Sequence, residues 1–186
     1  NNIKELYELT YSYIKVNCPQ EYFLKANIKI FSDNLVIAVQ KKECYEFGTP
    51  NEIASCYLMI FASFFQVLAL KYSLLVRGSI IVDDLYIDET FIYGKALSEA
   101  YKLESEIANY PRIIINPRDI HLFMKSDFQQ KIISKDSSNI YYINPFECYF
   151  TYVPKEHKLD NLNVITEILT EKLSENNDNK INQKVC

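Results

Sequence analysis

The chain has 186 residues, a formal net charge of −4 and 48% hydrophobic residues, which suits one folded domain with a sizeable core. The acidic balance disfavours nucleic acid as a partner, because a polyanion needs a concentrated positive surface. Five cysteines without a Cys-x-x-Cys pair, and only two histidines, argue against a zinc site and favour a reducing, cytoplasmic location.

The first half of the chain is predicted to alternate helices with strands. Apolar spacing and turn-forming residues predict a helix at 3–16 and a two-stranded hairpin at 24–31 and 35–40. A long helix at 50–72 and a strand at 74–82 follow. The tip of the hairpin is Ser32-Asp33-Asn34, a composition typical of tight turns. The long helix is apolar nearly all round, so we expect it to be buried. Its apolar run is too short to cross a bilayer, and no membrane contact is expected.

The second half is predicted to continue with helices and short strands. In order, the pattern indicates an acidic connection at 83–89, a helix at 95–109, a strand at 112–115 and a helix at 117–133. Two short strands at 140–143 and 148–153 and a last helix at 159–173 follow. This order predicts an α+β fold with helices packed on one face of a sheet. We expect one domain over 1–155, a C-terminal helix within 156–173 and a polar, disordered tail at 174–186.

Three motifs in combination resemble the catalytic domain of the class III nucleotidyl cyclases. They are the Phe-Ser-Asp-Asn hairpin, the Arg77-Gly78 strand and the Gly-x-Ala-Leu-x-Glu-Ala-Tyr-x-Leu-Glu helix that begins at Gly94. The likeness covers about residues 24–116 and is greatest to the bacterial branch that includes the anti-phage pyrimidine cyclases. It implies a ferredoxin-like palm whose first strand would lie upstream of Asn1.

The resemblance also implies an activity. Such an enzyme converts a nucleoside triphosphate to a 3′,5′-cyclic nucleotide and releases pyrophosphate. In this branch the product would be a cyclic pyrimidine nucleotide that acts in anti-phage signalling. Members of the family work as head-to-tail dimers with shared sites, so a homodimer is expected. The apolar character of helix 50–72 points to the same partner.

Asp33 matches the family's metal-binding carboxylate at the hairpin turn. In the family two divalent ions, Mn²⁺ or Mg²⁺, are held by two carboxylates and promote attack of the ribose 3′-hydroxyl on the α-phosphate. The second carboxylate would lie on the strand upstream of Asn1. An Asp in such a turn is also ordinary hairpin chemistry, which is the alternative interpretation.

Lys29 and Phe91 match positions that read the nucleobase. A lysine at position 29 resembles the adenine-selective enzymes, whereas Phe91 cannot make the hydrogen bond that purine recognition uses. A solvent-facing Lys29 on an alternating strand is the alternative.

Ser98, Tyr101 and Lys102 lie on the predicted helix 95–109. Ser98 and Lys102 stand where the family has an Asn that orients the ribose and an Arg that stabilises the transition state. Lys keeps the positive charge but lacks the two-pronged guanidinium. Tyr101 resembles a substrate-binding Tyr of the pyrimidine branch. The alternatives are that Tyr101 packs at a dimer interface and that Lys102 is simply solvated.

Two other interpretations stay open. In the first, the chain is a catalytically degenerate cyclase fold that binds a nucleotide or a partner. In the second, it is a structural dimerisation module.

The acidic residues of the connection are expected to form a solvated loop, with metal binding as the alternative: Asp83, Asp84, Asp88 and Glu89.

Overall fold

The computed structural model describes residues 2–17, 26–31, 34–39, 50–70, 72, 74–152, 163, 166–167 and 170. Its helices are α1 (Asn2–Asn17), α2 (Pro50–Leu70), α3 (Lys95–Glu106), α4 (Asp127–Ile132) and α5 (Pro145–Tyr152), with a 3₁₀ helix at Ile120–Leu122. Its strands are β1 (Ala26–Phe31), β2 (Asn34–Val39), β3 (Gly78–Ile80), β4 (Tyr86–Ile87), β5 (Ile92–Tyr93), β6 (Ile113–Ile115), β7 (Ile133–Lys135) and β8 (Tyr141–Ile143). The predicted α+β class is confirmed.

The strands form three small sheets. Four of them make one sheet in the order β3-β6-β8-β7, in which β3 and β6 are parallel and the other pairs antiparallel. The other two sheets are antiparallel hairpins, β1 with β2 and β4 with β5. The hairpin β1–β2, helix α3 and strands β6 and β8 all lie where the sequence predicted them.

The centre of the core is α2, as its all-round apolar sequence predicts. Every described residue from Phe61 to Leu70 is buried, and the helix packs against α1 and α5. Two buried polar side chains form hydrogen bonds with backbone carbonyls of the same helix. Ser63 Oγ donates to Met59 O at 2.7 Å, and Gln66 Nε2 donates to Ala62 O at 3.2 Å. Each large side chain buried in this way contributes about 1.5–3 kcal/mol of transfer free energy.

The predicted strand at 148–153 is wrong, because residues 148–152 belong to helix α5 and residue 153 lies outside the described residues. Asn144 Oδ1 accepts a hydrogen bond from Phe146 N at 3.2 Å, and Pro145 occupies the first helical position, where its fixed φ favours a helix start. Tyr149 then packs on α2, with its ring centroid 5.3 Å from that of Phe64.

The predicted single helix at 117–133 is also wrong. The segment contains the 3₁₀ helix and then α4, which begins at a capping box. Gln129 accepts from Lys125 N at 2.8 Å and Ser126 N at 3.1 Å, and donates to Ser55 Oγ at 2.6 Å. These buried hydrogen bonds fix a new helix start, and Ile133 already belongs to strand β7.

Two further differences concern 74–89. The strand predicted at 74–82 is reduced to β3, and the acidic connection folds into the hairpin β4–β5.

Of the predicted C-terminal helix the structure describes four helical positions, 163, 166, 167 and 170, and the tail lies outside the described residues. None of the described helices has the length and apolar character needed to cross a membrane.

Candidate functional site

The exposed side of α3 carries the predicted catalytic residues. Ser98, Tyr101 and Lys102 have the i, i+3, i+4 spacing that places side chains on one helix face, and all three are exposed. Tyr101 is 72% exposed. The Ser98 hydroxyl donates to Lys95 O at 3.0 Å, which leaves its oxygen free to accept a further hydrogen bond. Lys102 forms no ion pair with any side chain in the part of the chain that the structure describes.

Gly94 sets the start of α3. Its φ is 145°, a backbone conformation that residues with a Cβ rarely adopt. The Asp84 carbonyl lies against this glycine and accepts a hydrogen bond from Ala96 N at 3.0 Å. The helix therefore begins directly against the loop that follows β3.

One of the two predicted base-reading residues, Lys29, contacts the hairpin that carries the other, Phe91. Lys29 lies on β1 opposite Val36, and its ammonium group donates a hydrogen bond to the Glu89 carbonyl. Phe91 lies two residues after Glu89, on the β4–β5 hairpin, and is 62% exposed. Lys29 is half-buried and bound, so it is not a free, solvent-facing lysine.

Asp88 accepts three hydrogen bonds within the hairpin that Lys29 contacts. Its Oδ1 accepts from Thr90 N and Phe91 N, both at 2.7 Å, and its Oδ2 accepts from the Tyr86 hydroxyl at 2.7 Å. These hydrogen bonds, led by that from Phe91 N, lower the pKa of Asp88, and the charge of Lys29 adds to the effect. The hydrogen bond to Asp88 also raises the pKa of Tyr86.

An aromatic surface covers the same hairpin. We define it as Tyr86, Phe91 and Tyr93. The rings of Tyr86 and Tyr93 stack across the strands with centroids 4.8 Å apart, and the side chains are 48% and 60% exposed. Exposed aromatic groups of this kind are enriched where proteins bind partners.

A polar cluster that the sequence did not predict joins the ends of β3 and β6 to α3. It contains Asp83, Lys95, Glu99, Arg118 and Asp119 and is called the Arg118 cluster below. Lys95 Nζ lies 3.2 Å from Asp83 Oδ2, and Arg118 Nη2 lies 3.1 Å from the same oxygen. The Asp84 backbone N–H and then Lys95 lower the pKa of Asp83. The side chain of Asp83 is only 15% exposed, so the prediction of a solvated loop is wrong for this residue.

One signal could have indicated the Arg118 cluster. Asp83 and Arg118 each follow a strand of a parallel pair, and the carboxyl ends of parallel strands meet at one sheet edge. The sequence does not reveal that these two strands pair, so it does not predict that Asp83 and Arg118 lie close together.

The predicted metal ligand Asp33 cannot be placed, and the described residues offer no larger set of ligands. No group of three His, Cys, Asp or Glu side chains among them is placed to hold an ion. Asp33 lies outside the described residues, between Phe31 and Asn34, which pair with each other. Its proposed role as a ligand stays a prediction.

The chain was compared with known proteins in three ways. No protein-family model, no curated protein and no solved structure matches it. The resemblance of its motifs to the nucleotidyl cyclases therefore stays a prediction.

Proposed function

We propose that the chain is a nucleotidyl cyclase-like domain that forms a 3′,5′-cyclic nucleotide from a nucleoside triphosphate and releases pyrophosphate. The contact of Lys29 with the Glu89 carbonyl supports this best. It joins two hairpins whose contacting residues are 60 positions apart, and it brings the Lys29 ammonium to a residue two positions before Phe91, the other base-reading candidate. An ammonium donor next to an exposed aromatic ring suits the edge and the face of a nucleobase.

The arrangement of the sheets supports the palm fold. Strand β3 ends the four-stranded sheet, and no described strand pairs with its outer edge. Leu35 and Ile37 of the separate hairpin nevertheless pack against the same core as Ile80 of β3. A palm has its first strand between these two elements. We assign that place, and with it the second carboxylate, to a strand that is not among the described residues.

The exposed face of α3 would act on the phosphates and the ribose. Lys102 is unpaired among the described residues, so its charge is free to stabilise the negative charge that develops during phosphate transfer. The Ser98 oxygen would accept a hydrogen bond from the ribose. Asp33 would help to hold Mn²⁺ or Mg²⁺, which activates the phosphate when bound.

The proposal includes a homodimer, but the sequence-based argument from the apolar character of α2 does not support it. The apolar surface of α2 is buried inside the chain and is not available to a partner. The aromatic surface and the exposed face of α3 are the described regions that a second copy would cover. In this arrangement, the α3 face of one copy meets the metal-binding hairpin of the other.

A nucleotide-binding module without activity is the second candidate. Its support is chemical. Ser98 and Lys102 replace the family's Asn and Arg, and no group of three or more His, Cys, Asp or Glu side chains is placed to hold a metal ion among the described residues.

Nucleotide binding tests the Lys29–Phe91 observation. We expect Lys29→Met to weaken binding of the preferred nucleoside triphosphate about tenfold, the effect of losing one hydrogen bond from a charged donor. Lys131→Met removes an equal charge from the exposed side of α4 and serves as the matched control. Calorimetry with ATP, GTP, CTP and UTP measures both. Equal affinities in Lys29→Met and the wild type would contradict the proposed base site.

A further inference from the structure

Helix α3 is held on the sheet mainly by polar contacts. None of its residues is buried, so apolar packing fixes its position only weakly. At its C-terminal half, Ser79 Oγ donates to Ala100 O at 2.9 Å and Arg77 pairs with Glu104 at 2.7 Å. At its N-terminal half the corresponding contacts come from the Arg118 cluster.

Arg118 contacts three elements through one guanidinium group. Its Nη2 lies 3.1 Å from Asp83 Oδ2 and 3.2 Å from Val82 O in the loop after β3, and 3.4 Å from Glu99 Oε2 on α3. Its Nε lies 3.1 Å from Asp119 Oδ1. Asp119 is itself fixed, because it is buried and its Oδ2 accepts from Val82 N at 2.9 Å.

We propose that Arg118 is the positioning residue for α3, an inference whose catalytic part rests on the proposed cyclase function. Glu99, the helix residue it contacts, directly follows Ser98, and Lys102 lies one turn further along. The buried carboxylate of Asp119, which accepts from Val82 N, holds Arg118 against the loop after β3, and Arg118 in turn fixes Glu99. The orientation of the Ser98 and Lys102 side chains toward a substrate therefore depends on Arg118.

The chemistry of the contact requires arginine. A guanidinium offers five N–H donors in one plane, and here it meets two carboxylates and a carbonyl together with Asp119. A lysine keeps the charge but has a single nitrogen. We therefore expect Arg118→Lys to behave like a loss of the contact.

Hydrogen exchange of the full chain, followed by mass spectrometry, tests the positioning role without reference to activity. We expect amides of 95–106 to exchange about three- to tenfold faster in Glu99→Gln, Arg118→Gln and Arg118→Lys, as for loss of one or two partly exposed charge contacts. Glu99→Gln leaves the contacts of Arg118 to Asp83 and Asp119 in place and removes the link to α3 together with the Lys95–Glu99 pair within the helix, whereas Arg118→Gln keeps that pair. Lys125→Gln removes an exposed charge elsewhere and is the matched control. Wild-type exchange across α3 in both Glu99→Gln and Arg118→Gln would overturn the inference, as would full retention by Arg118→Lys.

Kinetics separate a positioning role from general stabilisation. In a protein that forms the cyclic product, Glu99→Gln should lower kcat several-fold with KM nearly unchanged, because the inferred role of Glu99 is to position α3 and not to bind substrate. Faster exchange of α3 with unchanged kcat would overturn the positioning role. If the wild-type protein forms no cyclic product, the proposed function fails, and the exchange data alone decide whether Arg118 positions the helix.

Discussion

Replacing Gly94 by alanine should disrupt the junction between the β4–β5 hairpin and α3. A Cβ on residue 94 would lie 2.5 Å from the Asp84 carbonyl oxygen and 2.9 Å from Leu85 Cα, both backbone atoms that cannot rotate away. The φ of 145° adds a backbone cost of about 1–3 kcal/mol for a residue with a side chain. Relief of the overlap adds about 1–3 kcal/mol. The total, about 2–6 kcal/mol, is a large part of the 5–15 kcal/mol that is typical of a whole domain.

Gly78→Ala is the matched control for this prediction. A Cβ on residue 78 would lie 3.5 Å from Ile113 Cγ1, an ordinary contact, and the φ of Gly78 is not positive. We expect its free energy of unfolding to stay within about 1 kcal/mol of the wild-type value. Urea denaturation followed by far-ultraviolet circular dichroism measures both variants. A Gly94→Ala protein as stable as Gly78→Ala would refute the reasoning.

Three more predictions concern acid stability, metal and assembly. The Ile140 N–H and then Arg112 lower the pKa of Asp136 from its ordinary 3.8, so the carboxylate stabilises the fold above that pH and loses this effect as pH falls further. Asp136→Asn should thus reduce the urea midpoint more at pH 7 than at pH 2; an equal deficit at both pH values would contradict this. Asp33→Ala should abolish manganese-dependent nucleotide binding in calorimetry with an unchanged circular dichroism spectrum, and unaltered metal affinity would rule the role out. Light scattering at tens of micromolar protein, a concentration range that suits interfaces of ordinary strength, should show a dimer that Phe91→Ser shifts toward monomer; a wild-type monomer would count against a shared site.

Local signals were sufficient for the elements that position the candidate site. The Ser32-Asp33-Asn34 turn between two β-rich runs predicted the hairpin β1–β2, and apolar spacing predicted α2 and α3. Helical spacing alone also placed Ser98, Tyr101 and Lys102 on one face of α3.

Errors arose where a short segment's structure depends on distant contacts. Residues 148–153 are aromatic and β-branched enough to indicate a strand, but packing of Tyr149 against Phe64 selects a helix. The preceding Asn144-Pro145 pair is a local signal for a helix start. At 117–133, the buried hydrogen bond from Gln129 to Ser55 joins residues 74 positions apart, which no local pattern reveals.

The same limit applies to the candidate site. The contact of Lys29 with Glu89 spans 60 positions, and that of Val82 with Asp119 spans 37. Each depends on which strands become neighbours, and strand order is not encoded in local periodicity. Sequence reasoning could therefore name Lys29 and Phe91 separately but could not find the Arg118 cluster.

Product analysis tests the cyclase proposal most directly. The natural full-length protein is incubated with manganese and, in turn, ATP, GTP, CTP and UTP, and the products are identified by mass spectrometry. We expect a cyclic monophosphate from at least one triphosphate, with a pyrimidine preferred. Lys102→Ala should lower turnover by about 10²-fold, the usual cost of removing one group that stabilises transition-state charge, with binding little changed. Lys131→Ala should keep wild-type turnover. Absence of cyclic product from all four triphosphates, in a protein that carries the second carboxylate, would contradict the proposal and favour the nucleotide-binding module.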